Sequence, residues 1–165
     1  MSEPAANWNL AAISLGSNID PAENLQAAVC ELANFGTVQK VSRVWESAPV
    51  GFLEQANFLN SAVLLETAMS AAELKQNALC PIEQKLHRIR DPKNINAPRT
   101  IDLDLSIFIT PAESIVMDDN ILSRAFVAVP LAELLPEFVH PATGQTLAQI
   151  AQQLKNSANL IPFGA

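Results

Sequence analysis

An antiparallel sheet with helices packed on it, an α+β fold, is what this sequence predicts, and three observations carry the prediction. Apolar and polar residues alternate from Ile101 to Ser106, the period of a half-buried strand. Two stretches, beginning at Asp20 and Ser70, combine helix-start residues with apolar residues at helical spacing. Strand-like and helix-like stretches follow one another as β-α-β-β-α-β, the order of the ferredoxin-like split βαβ arrangement.

Taken in order, residues 1–8 read as a loose lead-in. Leu10 to Leu15 is a short buried strand, and Gly16-Ser17-Asn18 ends it in a tight turn. Asp20 reads as a helix N-cap, Pro21 as the first helical residue and Glu23 as the capping-box partner. Leu25, Ala28, Val29, Leu32 and Ala33 carry this helix to about Asn34, and Gly36 stops it. Val38 to Trp45 is a second strand. Ser47 to Asn57 is a long loop, and long loops in compact domains tend to carry function. It leads into a third strand, Phe58 to Leu65, where Asn60 is a polar interruption: a hydrogen-bonded strand end, or a donor and acceptor for the edge of a heterocycle.

Ser70 and Glu73 form a second capping box, and Leu74, Ala78, Leu79, Ile82, Leu86 and Ile89 hold helical phase across Pro81. That pattern predicts one kinked helix, because proline removes a hydrogen bond and crowds the preceding turn. After the alternating strand, residues 118–123 read as polar loop and 124–131 as strand or turn, before a short helix at 132–135. His140 to Gly144 is a turn. Leu147, Ile150, Ala151 and Leu154 mark a final amphipathic helix, and the tail to Ala165 frays.

The chemistry concentrates on the alternating strand. Ile101, Leu103, Leu105 and Ile107 share one parity and point to a core, while Asp102, Asp104 and Ser106 share the other. Two carboxylates about 6–7 Å apart on one strand face repel unless solvent or a cation intervenes. A hard divalent ion suits them, and Mg²⁺ commonly takes one or two carboxylates plus substrate phosphates. Such a pair standing alone is more often two solvated acids. Here it does not stand alone: Lys85, Arg88, Arg90, Lys93 and Arg99 are five of the chain's ten lysines and arginines. Cations for phosphate oxygens beside acids for a metal are what Mg²⁺-dependent polyphosphate chemistry requires.

Composition narrows the classes. A chain of 165 residues with 49% hydrophobic residues can bury a sizeable core, and it has no internal repeat or linker, so one domain over 1–165 is expected. The net charge of −7 argues against nucleic acid as the main partner. No apolar run is long enough to cross a bilayer, and the first residues lack the pattern of a signal peptide, so a cytoplasmic protein without a membrane partner is expected. Cys30 and Cys80 fall in predicted helices, far apart in sequence, and are expected as buried free thiols.

Arg88-x-Arg90 followed by Pro98-Arg99-Thr100-Ile101-Asp102-Leu103-Asp104-Leu105 resembles the 6-hydroxymethyl-7,8-dihydropterin pyrophosphokinase family, whose members move pyrophosphate from ATP to a pterin hydroxymethyl group in folate biosynthesis. Ile13 to Asn18, Ser47 to Gly51, Phe58 to Val63, and Arg124 to Val127 with Pro130-Leu131 resemble further family segments in the family's order. The resemblance implies a pyrophosphokinase with ATP as co-substrate and two Mg²⁺ ions on Asp102 and Asp104. It implies a pterin held by Val50, Phe58, Asn60 and Phe126, and ATP contacted by Glu83, Arg90, Arg99, Leu105 and Arg124. Arg88, Arg99 and Asp102 would be catalytic, with Asp102 the best candidate for a base. The substrates would be ATP and hydroxymethyldihydropterin, and the protein a monomer. The chain departs from the pattern at Asn96 and Ala97, where an aromatic and Gly are usual, and at Met117-Asp118-Asp119, in place of a Pro-His pair. These departures motivate the alternative of a pterin-binding regulatory paralogue with weak or lost ATP use.

Overall fold

The computed structural model describes residues 7–164. Most of the expected lead-in and the last tail residue, Ala165, lie outside the described residues. Among these, β1 (Asn9–Ser17), β2 (Thr37–Val41), β3 (Trp45–Ser47), β4 (Phe58–Thr67), β5 (Asp102–Ile109), β6 (Ser114–Val116) and β7 (Ile161–Pro162) form one sheet. Its order is β6-β5-β1-β4-β3-β7, with β2 also on β4, and every pairing is antiparallel. The helices are α1 (Pro21–Leu32), α2 (Ala71–Leu74), α3 (Cys80–Lys85), α4 (Ala125–Leu134) and α5 (Leu147–Ser157), and a π-helical turn at Lys75–Leu79 joins α2 to α3. The predicted fold class is found.

The sheet carries a core on each face. Ile13, Leu15, Leu59, Val63, Leu103 and Leu105 pack against α1 and the α2–α3 unit. Ala12, Ala62, Leu64 and Ile107 pack on the other face against α4 and α5. Each large aliphatic so buried contributes roughly 1.5–3 kcal/mol. Ile107 therefore lies opposite to Leu105, contrary to the simple alternation. The register explains it: Ile13 pairs with Leu105 and Ala12 with Ile107, so Ser106 is an extra residue in β5, a bulge that reverses the parity beyond it.

Several local expectations change for identifiable reasons. Asp20 does not cap α1 through its side chain; its backbone is left-handed, and the Asn24 side chain bonds the Ile19 carbonyl instead. Gly36 follows a helix already ended. A Cβ there would sit 2.1 Å from the Glu66 carbonyl oxygen, so close approach to β4 is what requires glycine. The strand expected from Val38 to Trp45 is split into β2 and β3, because Glu133 of α4 accepts the Arg43 N–H and the Trp45 indole N–H, each at 2.8 Å.

Pro81 is accommodated by the π-helical turn just before it, which opens the helix wall where the proline ring would meet a carbonyl. The helix then ends at Lys85, and Ile89 lies exposed rather than continuing the stripe. His87, at φ 63°, terminates it: its N–H bonds the Gln84 carbonyl while the Arg88 N–H bonds that of Glu83, a Schellman cap.

Residues 125–134 form a helix, not a strand. Seven of the ten are buried, so the segment is apolar all round and its period is unreadable. Residues 119–122 form a 3₁₀ turn capped by Asp118. β6 and β7 were not expected, and β7 ties the tail to β3. Cys30 and Cys80 are free but exposed, the reverse of the burial expected for them.

Candidate active site

α4 and α5 cover only part of their sheet face. Along β1, the residues of that face fall from Leu10 to the small Ala12, Ser14 and Gly16, while the opposite parity stays large with Ile13 and Leu15. Gly16 pairs with Asp102 on one side and Asn60 on the other, and Ser14 pairs with Asp104 and Ala62. Beyond the first turn of α4 this floor is open, and a cavity of about 240 Å³ stands over it.

Eight residues singled out from the sequence meet there: Val50, Phe58, Asn60, Arg99, Asp102, Asp104, Arg124 and Phe126 line the cavity. Phe58 opens β4, and Phe126 comes from the first turn of α4. Asn60 is buried, and its Nδ2 donates to the Trp45 carbonyl at 3.0 Å and to Ser47 Oγ at 2.8 Å. With the amide nitrogen committed to β3, its oxygen is the atom left for a ligand's N–H. The Arg99 guanidinium carbon lies 5.8 Å from the Phe58 ring centroid, within cation–π range.

Asp102 and Asp104 stand on one face of β5, as alternation requires. Asp102 is held from both sides. Arg88 Nη1 donates to its Oδ1, and Arg99 Nη1 donates to its Oδ2 at 3.2 Å. No such partner engages Asp104 among the described residues. Loss of hydration among closely packed atoms, then the Asp102 carboxylate, then Asp118 and Glu83, push Asp104 up to about 7, although its side chain still reaches solvent. Crowded negative charge on hard oxygen donors is what a divalent cation relieves, so these residues fit Mg²⁺.

Glu83 and Leu105 do not line the cavity. Leu105 is buried in the core because it has the inward parity of β5, so its side chain is turned away from any nucleotide there. Glu83 is buried with its oxygens engaged: Oε1 accepts the Leu103 N–H at 2.9 Å and Arg88 at 3.0 Å, and Oε2 accepts Arg90 at 3.1 Å. It anchors two arginines and a strand. The Schellman cap makes this possible by turning Arg88 back toward Glu83. The Arg88 side chain is 8% exposed. Burial alone would lower its guanidinium, but Asp102 and Glu83 outweigh that and hold it above its ordinary value, so it stays cationic. Arg90 is largely exposed and, with Arg88 and Arg99, lines a neighbouring groove of about 370 Å³ under residues 91–97.

The cavity also includes residues that sequence reasoning did not select. Ser14 Oγ bonds Ser106 Oγ at 2.7 Å, and Gly16 leaves space beside Asn60. The signal available for them was the run of small residues on one parity of β1. Asp118 faces the cavity, its Oδ1 accepting the Asn120 N–H at 2.9 Å, whereas Asp119 is not among the lining residues.

Comparison with known proteins fits this geometry. The model of the 7,8-dihydro-6-hydroxymethylpterin-pyrophosphokinase family matches residues 12–136. The 2-amino-4-hydroxy-6-hydroxymethyldihydropteridine pyrophosphokinase of Synechocystis is 37% identical over 155 residues, covering 90% of this chain and 77% of that protein. The protein of the same name from Bacillus subtilis is 39% identical over 142 residues, covering 82% and 83%. Folic acid synthesis protein fol1 of Schizosaccharomyces pombe is 34% identical over 156 residues, covering 88% of this chain but 20% of that longer protein. Among solved structures, wild-type Plasmodium falciparum HPPK-DHPS with pteroate superposes with a TM-score of 0.68 at 12% identity, covering 92% of this chain. This chain spans 43% of that one, and the likeness speaks to the fold alone.

Proposed function

The chain belongs to the 7,8-dihydro-6-hydroxymethylpterin-pyrophosphokinase family, and on that premise we propose that it runs the pyrophosphokinase step of folate biosynthesis in the cavity over β1, β4 and β5. ATP is the co-substrate, its pyrophosphate passes to the hydroxymethyl group of 6-hydroxymethyl-7,8-dihydropterin, and AMP leaves. The observation that carries this assignment is the meeting, in one cavity, of two aromatic rings, the free oxygen of Asn60, and a carboxylate pair flanked by guanidinium groups.

Phe58 and Phe126 offer flat apolar faces to the pterin ring, Asn60 Oδ1 accepts one of its N–H groups, and Val50 closes the side. Asp102 and Asp104 would hold Mg²⁺, two ions in our reading, whose charge would offset that of the phosphates beside the carboxylates. The groove of Arg88, Arg90 and Arg99 receives the phosphates, and Arg124 reaches them from the N-terminus of α4. The pterin hydroxyl gives up its proton to water as its oxygen bonds to the β-phosphorus and the bond to the oxygen bridging from the α-phosphorus breaks, and that bridging oxygen leaves with AMP. Each Asp102 oxygen accepts one guanidinium bond and keeps a lone pair for Mg²⁺, so we give Asp102 the metal and no proton transfer. Positioning and electrostatic stabilisation by Arg88 and Arg99 supply most of the rate. Residues 48–57 and 91–98 exclude water that would otherwise compete for the phosphorus. We take the protein to act as a single-domain monomer in the cytoplasm.

The test is AMP release from ATP and Mg²⁺ with and without 6-hydroxymethyl-7,8-dihydropterin. Pterin-dependent AMP is the expected result. Folded protein that binds the pterin yet releases no AMP would overturn the assignment in favour of a binding paralogue.

A further inference from the structure

Residues 48–57 and 91–98 have almost no backbone ladder to hold them, yet they are pinned to each other and to the end of β1 by two side-chain amides. Asn18, 6% exposed, uses both ends of its amide. Its Oδ1 accepts the Arg99 N–H at 2.8 Å, and its own N–H returns a bond to the Arg99 carbonyl at 3.1 Å. Its Nδ2 donates to Gln55 Oε1 at 2.8 Å and to the Ala56 carbonyl at 3.1 Å. Gln55 Nε2 donates in turn to the carbonyls of Phe52 at 2.6 Å and Asn96 at 2.7 Å. The two loops also touch directly. Gly51 has φ +79°, and a Cβ there would lie 2.4 Å from Asn96 Nδ2.

We propose that Asn18 and Gln55 are positioning residues that couple the loop carrying Val50 to the catalytic Arg99, so that the pterin side and the phosphate side of the cavity are set together. The inference rests on the function proposed above for Arg99 and Val50. Neither amide lines the cavity, so each acts through others. The chain of bonds has a fixed polarity. Gln55 must present its oxygen to Asn18 and its nitrogen to two carbonyls, and turning the amide over would set oxygen against oxygen at Phe52 and Asn96. Arg99 is aimed by the same region, since its Nη2 and Nε donate to the carbonyls of Ile95 at 2.8 Å and Ala97 at 3.3 Å. Displacing residues 95–97 therefore displaces the guanidinium as well as the loop.

Two substitutions in the full chain separate this coupling from a general loss of structure. Gln55→Glu removes both donors to the loops. Asn18→Asp keeps the acceptor for the Arg99 N–H and removes the donors to Gln55 and Ala56. Hydrogen exchange of the ligand-free proteins and steady-state AMP release at saturating ATP and Mg²⁺ are the readouts. For Gln55→Glu, exchange should speed up in 48–57 and 91–99 together. Its pterin KM should rise and its kcat fall by about tenfold or more, since small misplacements of catalytic groups are costly, with the global unfolding midpoint unchanged. Asn18→Asp should loosen 48–57 while the Arg99 amide stays protected, raising KM more than it lowers kcat. The proposal is overturned if Gln55→Glu loosens 48–57 alone, or if an active parent protein and Gln55→Glu agree within about twofold in both constants. A parent that releases no AMP refutes the proposed function instead, and the exchange result still decides the coupling.

Discussion

Ser14, Gly16, Asn60, Asp102 and Asp104 stand on ladders running through β1, β4 and β5, with a core on each face of the sheet. Across the cavity, Val50, Asn96 and Arg99 stand on segments held by side-chain amides and guanidinium bonds. The first wall is fixed when the domain folds, because its hydrogen bonds break only with the sheet. The second can open at much lower free energy. A site that must admit two substrates and then exclude water needs both: a rigid wall to define geometry and a releasable wall to close over it.

Asp102→Ala strikes the rigid wall and gives the largest expected effect. kcat for AMP release should fall by at least about 10³-fold, with far-UV circular dichroism unchanged. Near-normal turnover would remove Asp102 from the machinery. Glu83→Ala attacks the joint between the walls, because it leaves the buried Arg88 with Asp102 alone and frees the Leu103 N–H. A loss of about 3 kcal/mol in urea unfolding is expected. Gly51→Ala touches the loop wall only. The left-handed backbone there costs a non-glycine residue about 1–2 kcal/mol, and the added methyl group displaces Asn96. Pterin KM should rise several-fold while the unfolding free energy falls by no more than that strain of about 1–2 kcal/mol, and a larger loss would mean that the two walls are not independent.

The smallest effect is one of pH. Loss of hydration first and the neighbouring carboxylates next hold the Asp104 proton up to about pH 7 in the folded, ligand-free chain, against an ordinary carboxylate value when unfolded, and solvent at the exposed side chain screens part of this. The folded state binds the extra proton between those limits, so the stability this group contributes is present at low pH and lost as pH rises through 7. The melting temperature of the ligand-free protein should therefore decline across that range. Asp104→Asn should flatten the decline, and an unchanged slope would clear Asp104 of the cause.

The two walls also differ in how legible they were. Asp102, Asp104, Phe58 and Asn60 sit on strands whose period fixes the face each presents, so they could be selected from alternation and from resemblance to a family. Gln55 and Asn96 lie in aperiodic loops, where nothing in the order of residues says which amide meets which carbonyl. Glu83 shows an intermediate case. Its place on a helix was readable, but its partners were not, because they depend on the left-handed turn at His87 that brings Arg88 and Arg90 back over it. α4 was misread for another reason: burial on all sides erases the periodicity by which a helix is recognised.

What the sequence by itself determined is the β-α-β-β-α-β order of the main elements up to β5, the α+β class and the strand face bearing the two carboxylates, because these follow from local periodicity and turn chemistry. Only the tertiary structure decided that Ser106 bulges and sends Ile107 to the opposite core, that Asp102 is gripped by two arginines, and that amides join the loops. Each depends on residues far apart in sequence coming within hydrogen-bonding or packing distance, and such distances exist only once the sheet has brought its strands into register.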